Sequence, residues 1–118
     1  SSAGRGSILL TPGEKNTTNN KATLEGSNVT SFVLGTDGKW ETNPVTGGWS
    51  FVLNGGLPLN SSWAKIQIPD KNGNLISRWY FFDAKSTMVT GWMQDPSTGN
   101  WYYMNTEKGE LEGQMVLG

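Results

Sequence analysis

Tryptophans at positions 40 and 49, and again at 92 and 101, stand nine positions apart at the two ends of one pattern, W-x-x-[ND]-P-x-T-G-[GN]-W. A third pair, Trp63 and Trp79, is sixteen apart. An indole face carries a negative quadrupole, so two or three such rings can hold a cation that has no proton to donate, above all a quaternary ammonium. Each ring contributes about 0.5–2 kcal/mol. A cage of two or three then reaches about 4 kcal/mol, which corresponds to roughly millimolar affinity. The same flat faces stack on sugar rings if polar neighbours meet the hydroxyls, and Asn54, Asn100, Gln94, Asp95 and Lys65 are at hand.

Other chemistries lack their residues. Cysteine and histidine are absent, which removes disulfides, thiolate metal sites and the commonest general base. Glu107, Glu110 and Glu112 form the one acidic cluster. Its simplest reading is a solvated turn, because nothing around it raises a carboxyl pKa as glycoside hydrolysis requires. The chain is read as a non-enzyme without metal or cofactor. Nine basic residues against ten acidic ones, with no basic run, give no electrostatic case for nucleic acid. No apolar stretch approaches the length of a membrane span, so no membrane insertion is expected.

The elements that position the tryptophans follow from composition and spacing. Only 35% of the 118 residues are hydrophobic, yet six are tryptophan and sixteen are glycine. A core of few large aromatics joined by many turns suits hairpins. Asn43-Pro44-Val45-Thr46-Gly47 reads as one hairpin loop and Pro69-Asp70-Lys71-Asn72-Gly73 as another. After each second tryptophan comes an apolar strand: Trp49-Ser50-Phe51-Val52, Trp79-Tyr80-Phe81-Phe82 and Trp101-Tyr102-Tyr103-Met104. Strand alternation puts Trp79 with Phe81, and Trp101 with Tyr103, on one face. Tyr80, Phe82, Tyr102 and Met104 point the other way and are assigned to the core. The face bearing tryptophan is expected to stay partly open between units. Each strand is followed by a short apolar step: Leu57 to Leu59, Met88 to Gly91 and Glu110 to Gly113.

A self-similar unit at this period indicates a repeat architecture. The expected fold is all-β, a solenoid-like array of about three stacked hairpin repeats over residues 31–118. Residues 1–30 carry little pattern and read as a linker or loosely packed segment, with one candidate strand at Ser7 to Thr11. The plain reading of tryptophan in a small β-repeat is core. That accounts for the residue type but not for the repeated separation and turn.

At Thr90-Gly91-Trp92, Gly99-Asn100-Trp101-Tyr102-Tyr103 and Met88-Val89-Thr90-Gly91-Trp92 the chain resembles the choline-binding repeat family of Gram-positive surface proteins. The resemblance covers about residues 40–118. Ser62-Trp63 stands for Gly-Trp, Trp49-Ser50-Phe51 for Trp-Tyr-Tyr, and Gln114 stands where a further tryptophan is expected. It implies a module on the bacterial cell surface, extracellular and wall-associated, that binds the choline of teichoic acids between adjacent repeats. Similar repeats in glucosyltransferases bind α-glucan, which is the alternative partner. A ligand-free spacer is the third reading. Carried over residue by residue, the resemblance implies one cage of Trp63 and Trp79 closed by Tyr103, and a second of Trp40 and Trp49 closed by Phe81. Trp92 and Trp101 form a third pair with no following repeat, and Met88 lines a pocket floor.

Overall fold

Short runs of alternating residues, punctuated by Gly, Pro, Asn and Asp, leave no room for a helix. Among the described residues every regular element is a strand. The structure, a computed structural model, describes residues 29–109 and 112–116. The candidate strand at Ser7 to Thr11, and residues 1–28 generally, lie outside them. The strands are β1 (Ser31–Val33), β2 (Gly38–Thr42), β3 (Trp49–Leu53), β4 (Ser62–Pro69), β5 (Leu75–Phe82), β6 (Gly91–Gln94), β7 (Trp101–Met104) and β8 (Met115–Val116). They form three antiparallel hairpins, β2–β3, β4–β5 and β6–β7. The chain divides into two compact units, Val29–Val89 and one that contains Thr90–Gly118.

In the first unit, the core lies between the first two hairpins. Phe51, Ala64, Ile66, Tyr80, Phe82 and Met88 are buried together, with Trp40, Phe32, Leu34, Leu53, Leu59 and Ile68 packed around them. Alternation makes this possible: Ala64, Ile66, Tyr80 and Phe82 share one face of the second hairpin. That face packs on the Trp40–Phe51 face of the first hairpin. Only part of the tryptophan face of the first hairpin is open: Trp49 is 42% exposed, whereas Trp40 is covered by Tyr80 and Phe82. The physical reason is that the Trp40 and Phe51 rings are what this hairpin has to bury, while Lys39 and Glu41 on its other face stay exposed. Gly38 sits buried on the apolar face, where a Cβ would come within 2.6 Å of the Val52 carbonyl and 2.7 Å of the Phe51 ring.

β1 pairs in parallel with β4, from Ser31 opposite Lys65 to Val33 opposite Gln67. The long β4 has an outer edge to cover, and β1 covers it. In the second unit Tyr102 and Met104 are buried, as expected from alternation, along with Met93 and Met115.

The third apolar step corrects the sequence alignment. Phe82 bridges to Met88, and Met104 pairs with Met115. Met115, not the stretch from Glu110 to Gly113, is thus the counterpart of Met88. Gln114 precedes this methionine and does not take a tryptophan's place. The misalignment arose because the turn after Asn105 is longer. It closes from Asn105 to Gln114, where the equivalent turn closes from Asp83 to Thr87.

Burial raises the Tyr80 phenol above its ordinary pKa, opposed by the charge and hydrogen bond of Arg78. Burial also raises Tyr102, with a hydrogen bond from Asn100 opposing and the Asp95 charge reinforcing. A phenol whose pKa is raised by folding favours the fold while protonated. This stability is fully present below the unfolded value of about 10 and is lost as pH rises past it. The urea midpoint should hold to about pH 9.5 and then fall. A midpoint that is flat through pH 11 would show that these phenols do not couple to folding.

Candidate functional site

Each hairpin carries the same aromatic arrangement, fixed by register. The first tryptophan lies directly across from the residue two after the second tryptophan: Trp40 across from Phe51, Trp63 from Phe81, and Trp92 from Tyr103. All three pairs meet edge to face, with ring centroids 5.3, 5.2 and 5.1 Å apart. Such pairs contribute about 0.5–1.5 kcal/mol beyond the area they bury. The second tryptophan lies across from Thr42, Lys65 or Gln94. Four side chains, two of them tryptophan, therefore share one face in every hairpin.

The pattern between the tryptophans proves to be a turn lock. In the first copy, Asn43 Oδ1 accepts from the Val45 and Thr46 amides, and the Gly48 amide donates to Thr46 Oγ1. In the second, Asp95 Oδ1 accepts from the Ser97 amide and the Asn100 amide donates to Thr98 Oγ1. Gly47 and Gly99 both have φ of +79°, a left-handed conformation suited to glycine. The loop backbone closes alike: Asn43 N to Gly48 O at 2.7 Å, Asp95 N to Asn100 O at 2.8 Å. The repeated Asn or Asp, Thr and Gly thus set the spacing of the tryptophans. Sequence reasoning saw a turn here but missed that its acidic or amide side chain is the lock.

Asn43 does more than cap its turn. Its amide nitrogen donates to Ser50 Oγ, to the Lys85 carbonyl and to Thr87 Oγ1. Ser50 Oγ donates in turn to the Ser86 carbonyl at 2.6 Å. Together with the Met88 amide bonded to the Trp49 carbonyl, these contacts tie the first hairpin to the turn that follows β5.

The predicted site residues separate into different surroundings. Trp40 packs on Phe51 and also on Tyr80 (5.0 Å) and Phe82 (5.9 Å) of the second hairpin, so it is a core residue as much as a wall. The residue that the second hairpin brings against Trp40 is Tyr80, not Phe81. Alternation turns Phe81 to the opposite face, where it meets Trp63. Tyr103 is the cross-strand partner of Trp92. It belongs to the unit from Thr90 onward, whereas Trp63 and Trp79 belong to the other. Met88 is buried in the core instead of lining an open floor. Trp49 is 42% exposed and Trp92 36%, while Trp79 is only 6% exposed. Trp101 is half-buried. Among the described residues no cluster of three potential metal ligands exists.

Residues 72–116 match the choline-binding repeat family. The resemblance read in the sequence holds there, across the third hairpin and the end of the second. Among solved structures, the chain is similar to a multimodular pneumococcal cell wall endolysin from phage Cp-1 complexed with choline. The two are 28% identical over 72% of this chain and 26% of that one, with a TM-score of 0.28. It is also similar to choline binding protein F from Streptococcus pneumoniae, at 24% identity over 67% of this chain and 28% of that one, with a TM-score of 0.27. The chain spans about a quarter of the length of these structures. No curated protein matches it.

The two tryptophans of the first pair should respond differently to truncation. Trp40→Ala removes a ring packed on three core aromatics and should cost about 3–5 kcal/mol in urea unfolding. Trp49→Ala, at a half-exposed position, should cost about 1 kcal/mol or less. Equal losses would place Trp49 in the core as well.

Proposed function

We propose, from a chain that carries a choline-binding repeat, that this is a non-catalytic module attaching its parent protein to the choline of teichoic acids at the bacterial cell surface. The observation that carries the reading is the repeated face. Three hairpins each set two tryptophans and a phenylalanine or tyrosine on one side, with the same cross-strand geometry. A trimethylammonium group cannot use a carboxylate's hydrogen bond and is attracted to ring faces, tryptophan above all. Exposed Trp49 and Trp92 are the walls a solute can reach. Stacking of the second hairpin on the first supports reading residues 31–118 as a solenoid-like array of hairpin repeats. Any catalytic module belongs to other parts of the parent protein.

In this reading, weakness of the single site is the reason for repetition. A roughly millimolar cage gains through effective concentration when several face a polymer that bears many cholines. Gln94, which lies across from Trp101 and donates to the Gly99 carbonyl, supplies the polar neighbour that an α-glucan reader would need. The glucan reading is therefore the second outcome of the same test.

Tryptophan fluorescence should change saturably with choline at roughly millimolar midpoint, and likewise with other quaternary amines. Dextran should leave it unchanged. A response to dextran alone would establish the glucan reading, and silence toward both would leave a structural spacer. Trp49→Ala should weaken the choline response without unfolding the chain.

A further inference from the structure

The three hairpins repeat their aromatics but not the residue facing the second tryptophan. Thr42 and Gln94 are neutral, whereas Lys65 carries a cation. The Lys65 ammonium lies over the Trp79 ring, 5.6 Å from its centroid. That is within the roughly 6 Å range in which a cation is held by a ring face. Lys65 is held in β4 by pairing on both sides, with Ser31 in β1 and Trp79 in β5. Its backbone amide donates to the Thr30 carbonyl at 3.0 Å. Trp79 is also the least exposed of the second tryptophans, at 6% against 42% for Trp49.

We propose that Lys65 is a built-in occupant of the second hairpin's aromatic face, placing its own ammonium where a quaternary ammonium would sit. The proposal rests on the choline-binding reading and divides its sites into two classes. At Trp49 the facing residue, Thr42, is neutral, and an incoming cation meets no competitor from that position. At Trp79 it must displace a tethered one. The lysine is covalently held beside the ring, so its effective concentration far exceeds that of a dilute solute. A quaternary ammonium has the weaker hydration shell and can still win at high concentration. The expected consequence is a graded one. The Trp79 site fills last, and its apparent affinity is lowered by the fraction of time the lysine occupies the ring.

The test uses the full chain labelled with ¹⁵N, reading the six indole N–H signals while choline chloride is added. In the native chain the Trp49 signal should shift at lower choline than the Trp79 signal. Lys65→Gln copies the residue at the equivalent position of the third hairpin and should lower the Trp79 midpoint by roughly two- to fivefold. Lys65→Arg should leave it near the native value. Without ligand, the ε-methylene protons of Lys65 should lie upfield through the indole ring current, and saturating choline should return them to their ordinary position. If Trp49 responds and the Trp79 midpoint is the same with Lys65 and with Gln at that position, the proposal is overturned and the choline reading stands. Lys65 ε-protons at their ordinary shift in the unliganded chain also overturn it. If no indole responds in either protein, the choline reading fails and the proposal fails with it.

Discussion

Antiparallel register is the constraint from which the rest of this structure follows. A hairpin closed over a turn of set length decides which residues stand opposite one another. Here it sets an indole across from a phenyl or phenol ring in all three hairpins. The non-local part of each contact comes from turn chemistry, because the turn is what holds the two strands in step. A slip of one residue would send Trp40 to the Lys39 and Glu41 side and remove the Trp40–Phe51 contact from the core. The aromatic faces and the turns are thus one device.

The interior of the repeated motif is polar for this reason. Asn43 is 6% exposed and Asp95 7%, which would be costly for unsatisfied groups. Asn43 meets that cost on both ends of its amide: Oδ1 accepts backbone amides of its own turn, and Nδ2 donates to Ser50 Oγ of the same hairpin and across to the Lys85 carbonyl in the turn after β5. One residue therefore sets the register within a hairpin and its docking on the neighbour. This suits a chain with little aliphatic side chain to spend on packing. Its first-unit core has few members, and most of the large ones are aromatic.

The all-β character, the hairpin boundaries and the buried partners Tyr80, Phe82, Tyr102 and Met104 were legible in the sequence, because period-two alternation and turn residues are local signals. What packs against what was less legible. Assigning Phe81 to the Trp40 cage followed the family pattern and overlooked alternation, which commits Tyr80 and Phe82 to the side that meets the first hairpin. The cross-strand pairs themselves were recoverable. Counting back from the turn puts Trp40 opposite Phe51, and the same count applies to Trp92 and Tyr103. The parallel pairing of β1 with β4 was not recoverable, since nothing local to Ser31–Val33 names its partner. Its partner is chosen by the unpaired edge of a hairpin longer than its neighbours, a property of the assembled sheet.

Counting tryptophans therefore overstates the number of equivalent walls. The same residue type takes different roles according to what stands opposite and what is laid on top. Trp40 is gripped by Phe51, Tyr80 and Phe82; Trp49 looks outward beside Thr42; Trp79 lies beneath an ammonium. Indole serves each role because it combines a large apolar area with a negative face, and packing decides which of the two is used. Repeat sequence and repeat function separate at this point. The cross-strand pair recurs in all three hairpins, and the turn lock in the first and third. The residue across from the second tryptophan does not recur: it is threonine, lysine or glutamine in the three hairpins. A position that faces the second ring and differs from hairpin to hairpin gives each otherwise similar aromatic face its own polar or charged neighbour.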